Sequence, residues 1–285
     1  MGRLAAKSVI LELMSAGAPR PGEARSIVEA CKLFGISENS ARVTLARLVA
    51  SGTLELASRG SYTLGAGTVG LTRRLNAWRT LDHEAVAWKE DWLCVFTAEL
   101  SRTNRSELRR RERALRLMGF RELYRGLEIR PDNLRGGVDG VRERLVSLGF
   151  DEAAPVFHAH FDGALDQRAR QLWDAKTLAA SYRAMRDRLE AWLQRLPELD
   201  LDSAARESFL LGREALKQIL FDPLLPDSLV DVDERATFVA CARRFDAVGR
   251  RVWHRRFGVD RSLVHAADGD HAEALRARGA GELVQ

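Results

Sequence analysis

Residues 25–64, RSIVEACKLFGISENSARVTLARLVASGTLELASRGSYTL, decide the fold. Apolar residues recur at helical spacing over Glu23–Phe34 and again over Glu38–Ala50, and an earlier patterned segment runs over Lys7–Ser15. Two short alternating runs, Leu54-Glu55-Leu56 and Tyr62-Thr63-Leu64, then flank Arg59-Gly60 in the manner of a hairpin. The break between the second and third helices is Phe34-Gly35-Ile36-Ser37. Gly35 can take the positive φ that ends one helix, and Ser37 can cap the next by accepting from the backbone N–H of Asn39 or Ser40. From there Ala41, Leu45 and Leu48 make one buried stripe, which turns Asn39, Arg42, Val43, Ala46 and Arg47 outward. The pattern predicts a winged helix-turn-helix, a shape used to read DNA and found also in helical units whose exposed charges only solvate them.

Length and charge set the frame around this unit. At 285 residues and 46% hydrophobic, the chain can bury a substantial core in two or three domains and is not a disordered tail. The net charge of +5 is unevenly placed: residues 1–65 hold 8 Lys and Arg against 5 Asp and Glu, residues 66–135 hold 15 against 10, and residues 136–285 hold 22 against 25. A basic front and a slightly acidic back are expected if one end meets phosphate. Cys31, Cys94 and Cys241 are far apart, odd in number and embedded in apolar patterns, so they read as buried free thiols of a reducing compartment, without zinc-binding spacing. With no secretory leader and no apolar run of membrane-spanning length, a soluble protein of the bacterial cytoplasm is expected, with no membrane partner.

The rest of the chain falls into recognisable blocks. Gly65–Gly70 is a candidate linker and Leu71–Arg79 a connecting helix. An apolar run Trp92–Thr97, a helix Ser106–Met118, a strand near Leu123–Ile129, a helix Val138–Leu148 and a strand Pro155–Phe161 follow, which reads as a small ferredoxin-like domain. From Gln171 onward the pattern is helical. Leu178, Tyr182, Met185, Leu189, Trp192 and Leu196 form one seam, and Phe238, Cys241, Phe245, Val248 and Val252 another, each serving as bundle core or as a dimer contact. Between them a helix Ala204–Phe221 must stop at Asp222-Pro223-Leu224-Leu225-Pro226. The predicted divisions are 1–70, 71–165, 166–257 and a flexible tail 258–285.

Several local features carry chemistry of their own. Arg102, Arg105, Arg109, Arg110, Arg111, Arg113 and Arg116 are tempered only by Glu107 and Glu112; such a run is either a solvated helix face or a cradle for phosphate. Gly65-Ala66-Gly67-Thr68-Val69-Gly70 matches a dinucleotide fingerprint by letter, but the preceding Ser61–Leu64 is too short and polar for a doubly buried strand, so the segment reads as linker. His158 and His160 share one face of a strand opposite Phe157 and Phe161, and two imidazoles without a specified third ligand read as half-exposed histidines, with no metal. No nucleophile-base arrangement has recognisable spacing, so neither a catalytic residue nor a cofactor is assigned.

Three markers in order resemble the PaaX family of bacterial transcriptional regulators, repressors of phenylacetate catabolic operons. The first is Phe34–Glu38 running into Ala41–Gly52, similar to the family's recognition helix; the second is Trp88 and Trp92, then Arg109–Leu117 and Gly119-Phe120, similar to its Cas2-like centre. The third is Leu220–Pro226, close to the Asp-Pro-x-Leu-Pro signature of its C-terminal helical domain. The wing Arg59-Gly60-Ser61 is shorter and less basic than the family's, and Val232-Asp233-Glu234 stands where the family usually has a tryptophan. The resemblance implies an α+β chain: winged helix-turn-helix, ferredoxin-like (Cas2-like) domain, helical domain. It also implies a homodimeric repressor on double-stranded operator DNA, released by a small anionic effector, which in the family's namesake is phenylacetyl-CoA; the residues that bind it are not legible here.

Side-chain chemistry assigns the DNA contacts. Arg42 and Arg47 suit guanine O6/N7 or phosphate, Asn39 suits adenine, and Val43 or Thr44 suits a thymine methyl, with Ser37, Ser40 and the wing's Arg59 beside them. Arg47 can instead pair with Glu38 or Glu55. Two rival classes remain: a Cas2-like nucleic-acid-processing enzyme, for which only Glu99 stands at the first strand end, and a protein-interaction module using the winged helix.

Overall fold

The computed structural model describes residues 4–17, 22–65, 84–101 and 103–257. The stretch 66–83, which contains the predicted linker after its first residue Gly65 and the predicted connecting helix, and the predicted tail 258–285 lie outside them. Among the described residues the fold is α+β, with two small antiparallel sheets.

In the N-terminal unit, α1 (Ala6–Gly17), β1 (Gly22–Glu23), α2 (Ala24–Lys32) and α3 (Glu38–Ala50) precede a hairpin of β2 (Leu54–Ser58) and β3 (Ser61–Leu64). The helices close on a core of Val9, Ile10, Ile27, Val28, Cys31, Ala41, Leu45, Leu48 and Leu54. The two-residue strand β1 was not foreseen; it pairs with β3 and makes the sheet order β1-β3-β2.

The middle of the chain runs β4 (Trp92–Phe96), α4 (Arg105–Leu117), β5 (Arg121–Tyr124), β6 (Leu127–Pro131), α5 (Gly137–Ser147) and β7 (Val156–Ala159). The single strand expected over Leu123–Ile129 is in fact a hairpin. Gly126, at φ 79°, turns the chain back, and a Cβ there would lie 2.7 Å from Ala98. The result is a β-α-β-β-α-β order in a four-stranded sheet, β5-β6-β4-β7. Strand alternation splits its side chains: Leu93 and Val95 pack with Leu115, Phe120, Val141 and Leu145 from α4, α5 and the loop between them. Trp92, Cys94 and Ile129 on the other face share one core with the helices that follow.

Those helices are α6 (Gly163–Arg170), α7 (Ala175–Arg195), α8 (Leu201–Leu220) and α9 (Val232–Phe257). Asp174 and Asp200 cap α7 and α8 through the N–H groups of Thr177 and Ser203. The two apolar seams are bundle core: they face each other, Tyr182 stacked on Phe238 at 6.0 Å and Trp192 edge-on to Phe245 at 4.8 Å. Glu234, in the segment that departs from the resembled pattern, pins α9 to α7 through Arg183 at 3.3 Å and Arg186 at 3.0 Å. All three cysteines are buried and free. Burial pushes the Cys31 thiol up to about 11 and the Cys94 thiol up to about 12, so neither is a reactive thiolate near neutral pH.

Asp222–Pro226 is where the sheet and the bundle lock together. The Asp222 carboxylate accepts from Leu224 N–H at 2.8 Å, shaping a turn that holds Leu224 at φ 49°. The carbonyls of Pro223, Leu224 and Leu225 accept respectively from Arg130 at 3.3 Å, Asn133 at 2.7 Å and Arg235 at 3.0 Å. Arg130, 1% exposed, also donates to the carbonyls of Met118 and Pro131 and to Asn133 Oδ1. Gly119, at φ 74°, lets this turn approach: a Cβ there would lie 2.8 Å from Pro223 Cα. Two of the sequence markers, Gly119-Phe120 and the proline-rich turn, therefore touch.

Candidate nucleic-acid interface

The structure places α3 over Glu38–Ala50, with Ser37 Oγ accepting from Ser40 N–H at 3.3 Å and Gly35 at φ 70°. Ala41, Leu45 and Leu48 are buried, as their spacing required. Ser37, Asn39, Ser40, Arg42, Val43, Ala46 and Arg47 are exposed, and Thr44 is half-buried with its hydroxyl donating back to the Ser40 carbonyl at 2.7 Å. Val43 is 41% exposed, so an apolar side chain sits among polar ones on this face.

Glu38, one of the two partners open to Arg47, is taken by another arginine. Glu38 holds Arg42, not Arg47: Arg42 Nε and Nη2 both reach Glu38 Oε1, at 3.0 and 2.9 Å, the ordinary partnership of residues four apart on a helix. Lys32 stands on the other side of Glu38 at 3.5 Å. The Arg42 guanidinium, followed by Lys32, holds the Glu38 carboxyl below its usual range. Arg47 has no ion-pair partner among the described residues.

The hairpin beside α3 turns at Arg59-Gly60, with Gly60 at φ 77° and a register shift between Leu56 and Ser58. Ala24 N–H donates to the Gly60 carbonyl at 2.8 Å, which ties the hairpin tip to the start of α2. Arg59 is exposed and Leu56 is 58% exposed, so the tip presents one cation and one apolar side chain.

On α4 the arginine run separates into two populations. Arg111 is buried and donates to the Ser101 carbonyl at 3.2 Å, so it belongs to the interior. Arg105, Arg109, Arg110, Arg113 and Arg116 are exposed; Arg102 lies outside the described residues. Asn104 caps this helix through the N–H groups of Ser106 and Glu107.

His158 and His160 meet two carboxylates that sequence separation concealed. His158 Nε2 lies 3.5 Å from both Asp91 and Asp132, and His160 Nδ1 lies 3.0 Å from Asp91. Antiparallel register brings them together, since Trp92 sits opposite both Pro131 and Ala159. Among the described residues no group of three or more such side chains is arranged to hold a metal ion. No described helix is long and apolar enough to cross a membrane.

The N-terminal unit is seated on the bundle. Phe34, in the turn before α3, packs on Phe209 of α8 at 4.8 Å, and Glu12 of α1 pairs with Arg213 of α8 at 2.9 Å. Burial raises the Glu12 carboxyl and Arg213 opposes that rise.

Residues 5–67 match the family model described as PaaX-like protein, and residues 173–255 match that of the PaaX-like protein C-terminal domain. No curated protein matches. Among solved structures, the uncharacterized protein Rv0674 from Mycobacterium tuberculosis is similar with a TM-score of 0.61 at 21% identity, over 90% of this chain and 99% of that one. That likeness concerns the fold.

Proposed function

The chain belongs to the PaaX-like protein family, and from that premise we propose that it is a transcriptional regulator that binds double-stranded operator DNA as a homodimer. In this reading residues 1–70 are a winged helix-turn-helix, 71–165 a ferredoxin-like domain and 166–257 a helical domain. The observation that carries it is the outer face of α3, where Asn39, Arg42, Val43 and Arg47 stand exposed over a rigid, capped and fully packed inner face. Such a face offers bidentate donors, an amide and an apolar contact on one helix, the inventory that base edges in a major groove require. Ser37, Ser40, Thr44 and Arg59 complete the contact set. The Arg42–Glu38 pair is solvent-screened on both sides, so Arg42 is released readily to a guanine, whose two acceptors hold it more strongly than one exposed carboxylate.

Repression follows from occupying the operator, and a small anionic effector, an aryl-CoA thioester such as phenylacetyl-CoA, releases it. We assign effector binding to the region beyond residue 65, because the N-terminal unit is too small to enclose such a ligand while reading DNA. Release requires that the effector prefer the dimer geometry whose two α3 helices miss successive major grooves.

Selection of duplexes from a random pool by the full chain, followed by affinity measurement across a salt series, tests the reading. The expected result is a dimer on a near-palindromic site, with affinity falling steeply as salt rises. Arg42→Ala should cost about 1–3 kcal/mol of specific binding with the fold intact. Salt-independent binding, or binding to a protein partner with no DNA selected, would overturn the proposal.

A further inference from the structure

Three exposed arginines of α4 have no ion-pair partner among the described residues. In the bundle Arg188, Arg195 and Arg213 are answered by Glu214 at 2.7 Å, Glu207 at 2.6 Å and Glu12 at 2.9 Å, whereas Arg206, Lys217, Arg251 and Arg255 are scattered cations with no ion pair among the described residues; what sets α4 apart is that its unpaired cations stand in one row. Arg105, Arg109 and Arg113 make no such pair with any described residue. Together with Arg116 they fall within about 80° of arc on α4 and cover about 16 Å of its length, the first three at intervals of about 6 Å. At the far end Arg116 lies over the Phe221 ring at 5.7 Å and shares a shallow groove with Lys217 of α8. The one carboxylate in that groove, Glu214, is already held by Arg188. A small anion is bound by a concave site that surrounds it, whereas this row is convex and linear, the form that matches a repeating polyanion.

We propose that this row is a second nucleic-acid contact, gripping the sugar-phosphate backbone of the duplex that flanks the segment read by α3. The inference rests on the DNA-binding reading above and adds to it a contact that carries no base information. The spacing is compatible: Phe209, which touches the turn before α3, and Phe221, beneath Arg116, are separated by about 18 Å along α8, well inside one turn of duplex DNA.

The test compares the full chain with a variant carrying Arg105→Gln, Arg109→Gln and Arg113→Gln; glutamine keeps helix propensity at exposed sites. Both are measured on a selected duplex of about 20 base pairs and on the same duplex with random flanks, across a salt series. On the long duplex the variant's log–log salt slope should be shallower by about 5.4, three contacts from each protomer of the dimer at about 0.9 each, while its preference for the selected site over scrambled sequence is unchanged. On the short duplex the two proteins should agree, and the corresponding triple lysine variant should recover the steep slope. An unchanged slope on the long duplex overturns the inference and leaves the α3 reading standing. So does a variant that keeps its slope but loses binding to a CoA thioester. If the unmodified chain selects no duplex, the function proposed above fails first, and the inference with it.

Discussion

Arg130 on β6 and Arg109 on α4 are the same side chain placed under opposite conditions. Arg130 is almost wholly enclosed, and its donors are taken up by carbonyls of Met118, Pro131 and Pro223 and by the Asn133 amide oxygen, with no carboxylate in direct contact. Burial first, and Arg144 second, pull its pKa below the usual guanidinium range. Arg109 stands in solvent with nothing in the described chain accepting from it. A buried guanidinium is tolerated when fixed dipoles replace its hydration, and then its fork geometry is what matters. An exposed one is kept for its charge. Composition alone cannot separate the two roles, which is why an arginine-rich chain says less about nucleic acid than the position of each arginine does.

The largest effect is expected at Arg130. Arg130→Met keeps volume but strands the carbonyls of Met118 and Pro223 in the interior, and should lower the stability of the full chain by about 3–5 kcal/mol in urea denaturation. A loss under about 1 kcal/mol would show that hydrophobic contacts, not this hydrogen-bond hub, lock the sheet to the bundle. The Arg109→Gln change, by contrast, should leave the denaturation midpoint where it is. Gly119→Ala probes the same lock from the backbone side. It demands a positive φ of a residue with a side chain and drives Cβ against Pro223, so about 2 kcal/mol of stability should be lost, with the duplex binding proposed for α3 unchanged. Equal stability of the alanine variant would mean that the turn can retreat at no cost.

The smallest effect sharpens the contrast with an acidic residue. Glu128 lies two positions before Arg130 on the same face of β6, but it lacks a comparable set of fixed dipoles. Burial first, then Glu122 across the hairpin, pushes its carboxyl up to about 7 against an opposing pull from Arg121. Because the folded chain holds this proton more tightly than the unfolded chain, stability is highest below the ordinary carboxylate range and declines as pH rises from about 4.5 to about 7. Glu128→Gln should flatten that part of the pH–stability profile and make the chain the more stable of the two at pH 8. A variant whose profile parallels the original over this interval would assign the slope to other groups.

Helical periodicity made much of the molecule legible beforehand. Ala41, Leu45 and Leu48 placed α3 with its boundaries, Ser37 and Gly35 placed the turn, and the outward residues follow from the same arithmetic. What escaped depended on pairing across the sequence or on very short elements. Two residues of β1 carry no period, and the β5–β6 hairpin was hidden because Leu123, Leu127 and Ile129 read as one apolar run, although Arg125-Gly126 was an available turn signal. The Glu38–Arg42 pair was legible in principle from its spacing of four. Arg130 and Asn133 meeting Pro223 and Leu224, or Asp91 meeting His158, were not, because no local pattern records a partner some ninety or seventy residues away.

The position of α8 has a mechanical consequence. Its twenty residues form a rod about 30 Å long, clamped at its C-terminal end by the carbonyl-bound proline turn and bearing the N-terminal unit partway along, through Phe209 and Arg213. Glu214, Glu207 and Asp202 tie the rod to Arg188, Arg195 and Arg256 along its length, so it moves only together with the bundle, and each 10° of bundle tilt about the proline turn would carry the Phe209 seat by roughly 3 Å, more than the tolerance of a hydrogen bond. A displacement at Asp222–Pro226 would therefore reach the seat of α3 through the bundle, without contact with that helix.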